Sequence, residues 1–372
     1  MILEQITLYH IRMFLQTPFE TSFGRSETRD CIVIETKSGG ITGYGECVAD
    51  RDPGYSYETV VTAWHILSDF LIPAVIGVDI ASPADYQKRV SFVRGHLMAK
   101  AGIEMALWDL LGKIHAQSLR SLMGGAREYV EVGVSVGIQN SVQTLLNVVA
   151  GYQDQGYRRV KLKIKPGRDV NETRAVRHAF PDLRLQVDAN SAYTLDSASI
   201  LGSLDDLSLL LIEQPLAEDD LWQHSRLQAQ LITPICLDES ILSSRHAQDA
   251  IEMRACRIIN IKAGRVGGLS QAQAIHDLCL GRGIPVWCGG MLETGIGRAS
   301  NLALASLPGF VLPGDISATE RYYFEDITEQ TFSLNSDSTI TVPDLPGLGV
   351  TIDHNALTKV TLAKRNFDLG MF

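Results

Sequence analysis

The sequence predicts an α/β protein: a TIM-like (β/α)7β barrel over residues 126–315, joined to a separate α+β domain formed by 1–125 and completed by 316–372. Three observations predict it. From Tyr129 onward, short apolar runs alternate with helix-periodic segments, as parallel βαβ units do. Five ionisable residues, Lys163, Asp188, Glu213, Asp238 and Lys262, close five of those runs at steps of 25, 25, 25 and 24 residues. The first 48 residues instead alternate apolar and polar positions between glycine breaks, the pattern of antiparallel strands.

Taken in order, ILEQITLYHIRM, DCIVIETK and ITGYGECV predict three antiparallel strands, with SGG at 38–40 as the turn between the last two. Residues 56–75, 82–94 and 99–117 read as helices; in the third, Ile103, Ala106, Leu107, Leu110 and Ile114 recur at helical spacing. Beyond Gly124-Gly125 the strands are YVEVGVS, RVKLKIK, RLQVDA, LLLIEQ, PICLDE, RIINIK, IPVWCG and FVLPGD. Helices are expected between them at 141–154, 171–178, 194–203, 218–231, 243–252, 269–281 and 298–306. Several strands are rich in Val, Ile and Leu without alternation, as parallel strands buried on both faces are. Eight strands, seven helices and no closing helix after Asp315 give the (β/α)7β count. One strand, one helix and two short loops occupy an interval near 25 residues. A ladder at that interval gathers its rungs at the C-terminal mouth of a barrel, where barrel active sites sit.

Composition narrows the partners. A net charge of −10 opposes nucleic acid or an anionic membrane surface as a partner, and makes the lysines the natural receptors of an anionic substrate. The six cysteines show no metal-ligand spacing and read as reduced, packed thiols. MILEQITLYHIRMF lacks the features of a signal peptide, and no run approaches the roughly 18 apolar residues of a membrane span. The expectation is a soluble cytoplasmic protein, a homo-oligomer, acting on a small-molecule carboxylate.

Asp188, Glu213 and Asp238 end three consecutive strands, so they would lie side by side and repel unless a cation joins them. An all-oxygen set suits a hard divalent ion, Mg2+ with Mn2+ as its substitute, and the lack of His or Cys in this register counts against zinc. Lys161, Lys163 and Lys165 alternate on one strand and so project to one face, which is expected to be the lumen. Lys262 closes the sixth strand across the mouth. A buried lysine beside another cation loses proton affinity and can serve as a general base. Other residues have two readings each. Asn190 either hydrogen-bonds a metal ligand or substrate, or shapes a turn. Ser135 either faces the mouth or caps a loop, and GGMLETGIG at 289–297 either lays backbone against a ligand or turns tightly. Arg265 is placed near the rim, either tuning Lys262 and attracting a carboxylate or merely solvated.

At these residues the sequence resembles the enolase superfamily. KLKIKPG, DANSAYT, LLIEQPL, ICLDESI, INIKAGRVGG and WCGGMLETGIGRASNLALASLP are similar to the o-succinylbenzoate synthase/N-succinylamino acid racemase branch, and the likeness spans essentially the whole chain. The resemblance implies that the first 125 residues cap the barrel and that Asp188, Glu213 and Asp238 hold Mg2+. It implies Lys163 as the base of a syn-dehydration yielding o-succinylbenzoate for menaquinone synthesis, with Lys262 shielding an enediolate. In the racemase alternative the two lysines exchange acid and base roles. Ser135, Gly290 and Met291 match positions at the succinyl end, Lys161 and Asn190 stand beside the metal cluster, and Phe19 and Phe23 fall in a mobile capping loop. The charges of ADRDPGYSYE at 49–58 have no match in that pattern. A muconate-type cycloisomerase, a dipeptide epimerase and a catalytically silent ligand-binding barrel are the remaining readings. GGMLETGIGRA argues against the first two, and the presence of all five ladder residues against the third.

Overall fold

The computed structural model describes residues 1–371. Its first unit is an antiparallel sheet of β1 (Gln5–Thr21), β2 (Gly24–Ser38), β3 (Ile41–Cys47) and a C-terminal strand, Thr361–Asp368, that pairs along β1 from Gln5↔Asp368 to Ile11↔Thr361. The last strand of the chain thus lies beside its first. Gly39 and Gly40 turn β2 into β3 at φ +55 and +78, a region glycine enters without steric cost. The β1–β2 hairpin runs further than the alternation shows, because the pattern lapses in QTPFETSF. It slips register between Phe14 and Phe19 and pairs again at Phe19↔Ser26, so Phe19 lies in a strand and Phe23 in its turn. The capping segment expected there is a hairpin arm, tied to the barrel where the Ile138 N–H donates to Glu20 O at 2.9 Å.

One face of this sheet carries the helix Leu97–Ile114, seated so closely that a Cβ on Gly45 would lie 2.1 Å from Gly102 O. The helix expected from 56 begins at Val60, where Thr59 and Thr62 cap each other reciprocally. Residues 53–57, with Pro53 and Gly54, stay outside the helix as a loop directed at the barrel mouth.

The second unit starts with β4 (Tyr129–Glu131), which pairs antiparallel with Thr339–Thr341. Seven parallel strands then follow in chain order: β5 (Val134–Val136), β6 (Arg159–Lys163), β7 (Arg184–Asp188), β8 (Ile212–Glu213), β9 (Ile235–Leu237), β10 (Ile258–Ile261) and β11 (Val286–Cys288). The run 129–135, expected as one strand, is thus two. The eighth expected strand, 310–315, is not a regular strand. Phe310 bridges Val286 and Gly314 bridges Val132, and the Asp315 N–H donates to Cys288 O at 2.9 Å. Pro313 offers no N–H for a ladder, so the segment crosses the gap between β11 and β5 in single bridges. Trp287, 1% exposed, fills the lumen beside Cys236. Among the described residues no helix is long and apolar enough to cross a membrane, and all six cysteines are free and buried.

The two units meet through buried charge. Glu104, on the helix Leu97–Ile114, accepts from the Ser270 N–H at 3.3 Å at the start of the barrel helix Leu269–Arg282. Burial pushes this carboxyl from 4.5 up to about 7 against the hydrogen bonds that favour its charge. A folded-state pKa above the unfolded one contributes stability that is present below about pH 4.5 and lost as pH rises through 7. Raising the pH from 5 to 8 should therefore lower the Tm of the wild type more than that of Glu104→Gln. Parallel Tm–pH curves would contradict this.

Candidate active site

The parallel register places the ladder. Lys163 is the last residue of β6 and lies directly across from Asp188 at the end of β7, which lies across from Glu213 at the end of β8. Glu213 pairs in register with Cys236, so Asp238 stands two residues further along, just past β9, and Lys262 just past β10. All five stand at the C-terminal mouth. The Lys163 ammonium donates to Asp188 Oδ2 at 2.6 Å and to Asn190 Oδ1 at 2.7 Å. Lys262 donates to Asp238 Oδ2 at 2.7 Å. Lys161, one pleat deeper, reaches Asp188 at 3.1 Å, Glu213 at 2.8 Å and Asp315 at 2.6 Å. Lys165 is at the rim, where it meets Glu20 at 3.1 Å.

The carboxylates respond unequally. Burial pushes Asp188 up, but Lys163 and Lys161 outweigh it and hold the group at about 2. Lys262 and Arg265 likewise outweigh burial at Asp238 and hold it below the usual carboxylate range. Glu213 is pushed up to about 8 by burial and by its neighbour Asp188. Glu239, which accepts from Asn190 Nδ2 at 2.9 Å, is raised to about 8 by burial and by Asp238. Its Oε2 is buried with no protein partner.

A cavity of about 280 Å3 lies between this mouth and the first unit. Lys163 and Lys262 both border it, as do Asn190, Gly290 and Met291, and Phe19 and Phe23 of the hairpin arm close over it. Three of the residues expected at the substrate do not border this cavity. Lys161 is 3% exposed and fully engaged by acids beneath the cavity. Ser135 lies opposite Lys161 in the sheet, below the cavity wall, with a buried hydroxyl that has no partner. Arg265 is not at the rim. The helix Ala263–Val266 begins immediately after Lys262 and turns Arg265 back beneath the mouth, where its guanidinium grips Asp238 Oδ1, Asn260 O and Ile241 O. Nor is the Lys262 proton affinity lowered: burial acts that way, but contact with Asp238 outweighs it and pushes the pKa up.

Residues absent from the sequence reading complete the site. The Tyr55 hydroxyl donates to Asp238 Oδ1 at 3.0 Å and accepts from Lys262 at 3.1 Å, with its ring 4.4 Å from that ammonium. It sits in the charged 49–58 segment, whose Asp50 pairs with buried Arg29 at 3.1 Å while Arg51 and Asp52 pair on the surface. Glu239 was visible as the second acid of ICLDE. Asp315 closed the eighth expected strand but was not read as a partner of Lys161.

Two family models cover the chain. The mandelate racemase/muconate lactonizing enzyme N-terminal domain matches residues 4–124, and the enolase C-terminal domain-like model matches residues 145–356. The chain belongs to the enolase superfamily. Within that superfamily it is 50% identical over 360 residues to an o-succinylbenzoate synthase of Geobacillus stearothermophilus, covering 96% of each chain. It is 49% identical over 365 residues to an N-succinylamino acid racemase of an Amycolatopsis species, covering 98% of this chain and 99% of that one. A crystal structure of an enolase-superfamily member from Listeria innocua superposes with a TM-score of 0.95 at 44% identity, over 99% of this chain and 100% of that one. Among the described residues no three acids stand as a ready-made metal cage, since lysines and Arg265 hold their oxygens. The donor set of this enolase-superfamily site nonetheless fits a hard cation: three buried carboxylates on successive strand ends, two of them in direct register.

Proposed function

We propose that the chain is a Mg2+-dependent o-succinylbenzoate synthase, with racemisation of N-succinylamino acids as the alternative reading of the same site. One observation carries this reading: Lys163 and Lys262 border a single cavity from opposite sides of a carboxylate cluster. Asp188, Glu213 and Asp238 would hold the ion, and the bound ion supplies positive charge to a substrate carboxylate whose α-proton is leaving. Lys163, oriented by Asn190 Oδ1, takes the α-proton at Nζ and returns it to the hydroxyl that departs as water from the same face. Lys262 stays protonated against Asp238 and Tyr55 and shields the negative charge that develops on the substrate. Phe19, Phe23 and Met291 exclude water while this happens.

Racemisation is the second reading, favoured by the Lys262 ammonium bordering the cavity itself. There Lys163 removes the α-proton from one face and Lys262 delivers one to the other. NMR of the purified protein with Mg2+ and the cyclohexadiene precursor of o-succinylbenzoate tests the main reading. Aromatisation is expected, and an unaltered precursor rules it out. Exhaustive chelation should stop turnover, and Mg2+ or Mn2+ should restore it. Undiminished turnover after chelation would show that these carboxylates work without an ion.

A further inference from the structure

The cavity wall at Gly290, Met291 and Leu292 belongs to the barrel, yet much of what holds it comes from the first unit. The backbone is strained here: Leu292 sits at φ +57, a left-handed conformation unfavourable to a branched residue. Such a conformation persists only where its surroundings impose it. Arg29, 2% exposed, donates from Nε to Met291 O at 2.9 Å, while its other nitrogens hold Asp30 O, Val48 O and the Asp50 carboxylate. Three residues beyond Met291, the fully buried carboxylate of Glu46 on β3 accepts from Thr294 Oγ1 at 2.7 Å, the Thr294 N–H at 3.2 Å and the Gly297 N–H at 3.0 Å. These donors open the barrel helix Gly295–Ala305, whose N-cap is Thr294. A Cβ on Gly297 would lie 2.9 Å from Glu46 Oε2, so the carboxylate and this turn are fitted to one another. Between them, Tyr323 donates to Leu292 O.

We propose that Arg29 and Glu46 are positioning residues: two buried polar side chains of the capping unit that clamp the 291–297 segment and thereby set the Gly290–Leu292 wall against the substrate. Neither touches the ladder acids or lysines, so the clamp acts on how substrate is held rather than on proton transfer. The proposal rests on the reading of this cavity as the substrate site.

Glu46→Gln keeps the side-chain shape but weakens the acceptor on which three donors converge, and this loss is expected to raise KM by about tenfold or more. The expected kcat change is far smaller. Hydrogen exchange followed by mass spectrometry should quicken at 291–297 and stay unchanged at 186–190. In a double-mutant cycle, Thr294→Ala should add little to Glu46→Gln, because both remove the same contact. Unchanged exchange at 291–297, quicker exchange with an unchanged KM, a fall in kcat alone, or full additivity in the cycle would each overturn the proposal. Should Glu46→Gln fail to fold, Arg29→Lys and Thr294→Ala decide by the same exchange and KM readouts, since lysine cannot reproduce the guanidinium fork. If the wild type turns over neither substrate, the functional reading fails, while the exchange measurement still reports on the clamp.

Discussion

Lys163→Ala should abolish both dehydration and racemisation, lowering kcat by about 10^2- to 10^4-fold or more, the range expected when a positioned general base is removed. The reason is local. Lys163 is the one ammonium that borders the cavity while touching both Asp188 and Asn190, and neither neighbour can take its place as a base at that face. Asp188 remains paired to Lys161 at 3.1 Å, so the charge cluster stays compensated and the fold should survive. Steady-state rates with both substrates, with Tm as the control, check this. Dehydration that persisted in the variant would move the base elsewhere.

Lys262→Arg separates the two reactions. Arginine keeps a cation beside Asp238 but is never deprotonated in proteins, so it can shield charge and cannot accept a proton. Racemisation is expected to fall by about 10^2-fold or more, while dehydration retains a measurable fraction of its rate. The variant starts from a site already built for guanidinium contact, since Arg265 occupies the other oxygen of Asp238. Equal losses in the two reactions would mean that Lys262 has the same role in both.

The ladder was legible because parallel strands repeat at a nearly constant interval, so residues 25 apart in sequence stand one strand apart at the same height. The register of Lys163, Asp188 and Glu213 is the direct consequence. What escaped the sequence depends on contacts that no spacing encodes. Tyr55 reaches Asp238 across 183 positions from a loop whose charges obscured it. Arg265 looked like a rim residue because its burial is decided by the short helix that starts at Ala263. A cation nearby was expected to lower the Lys262 pKa, but the opposite charge of Asp238 is closer and prevails. The eighth segment read as a strand from its apolar start, and only the lost donor at Pro313 explains why it forms single bridges. The hairpin arm bearing Phe19 and Phe23 was hidden by its broken alternation and by a register slip.

The central claim is that Lys163 and Lys262 move a proton at the α-carbon of a carboxylate held over the acidic cluster. Incubation with Mg2+ and an N-succinylamino acid in D2O, followed by NMR at the α-position, tests it most directly. The wild type should replace the α-proton with deuterium as the enantiomers interconvert, and Lys163→Ala should do neither. An α-proton that stays in place in the wild type, with the precursor of o-succinylbenzoate also untouched, would contradict it.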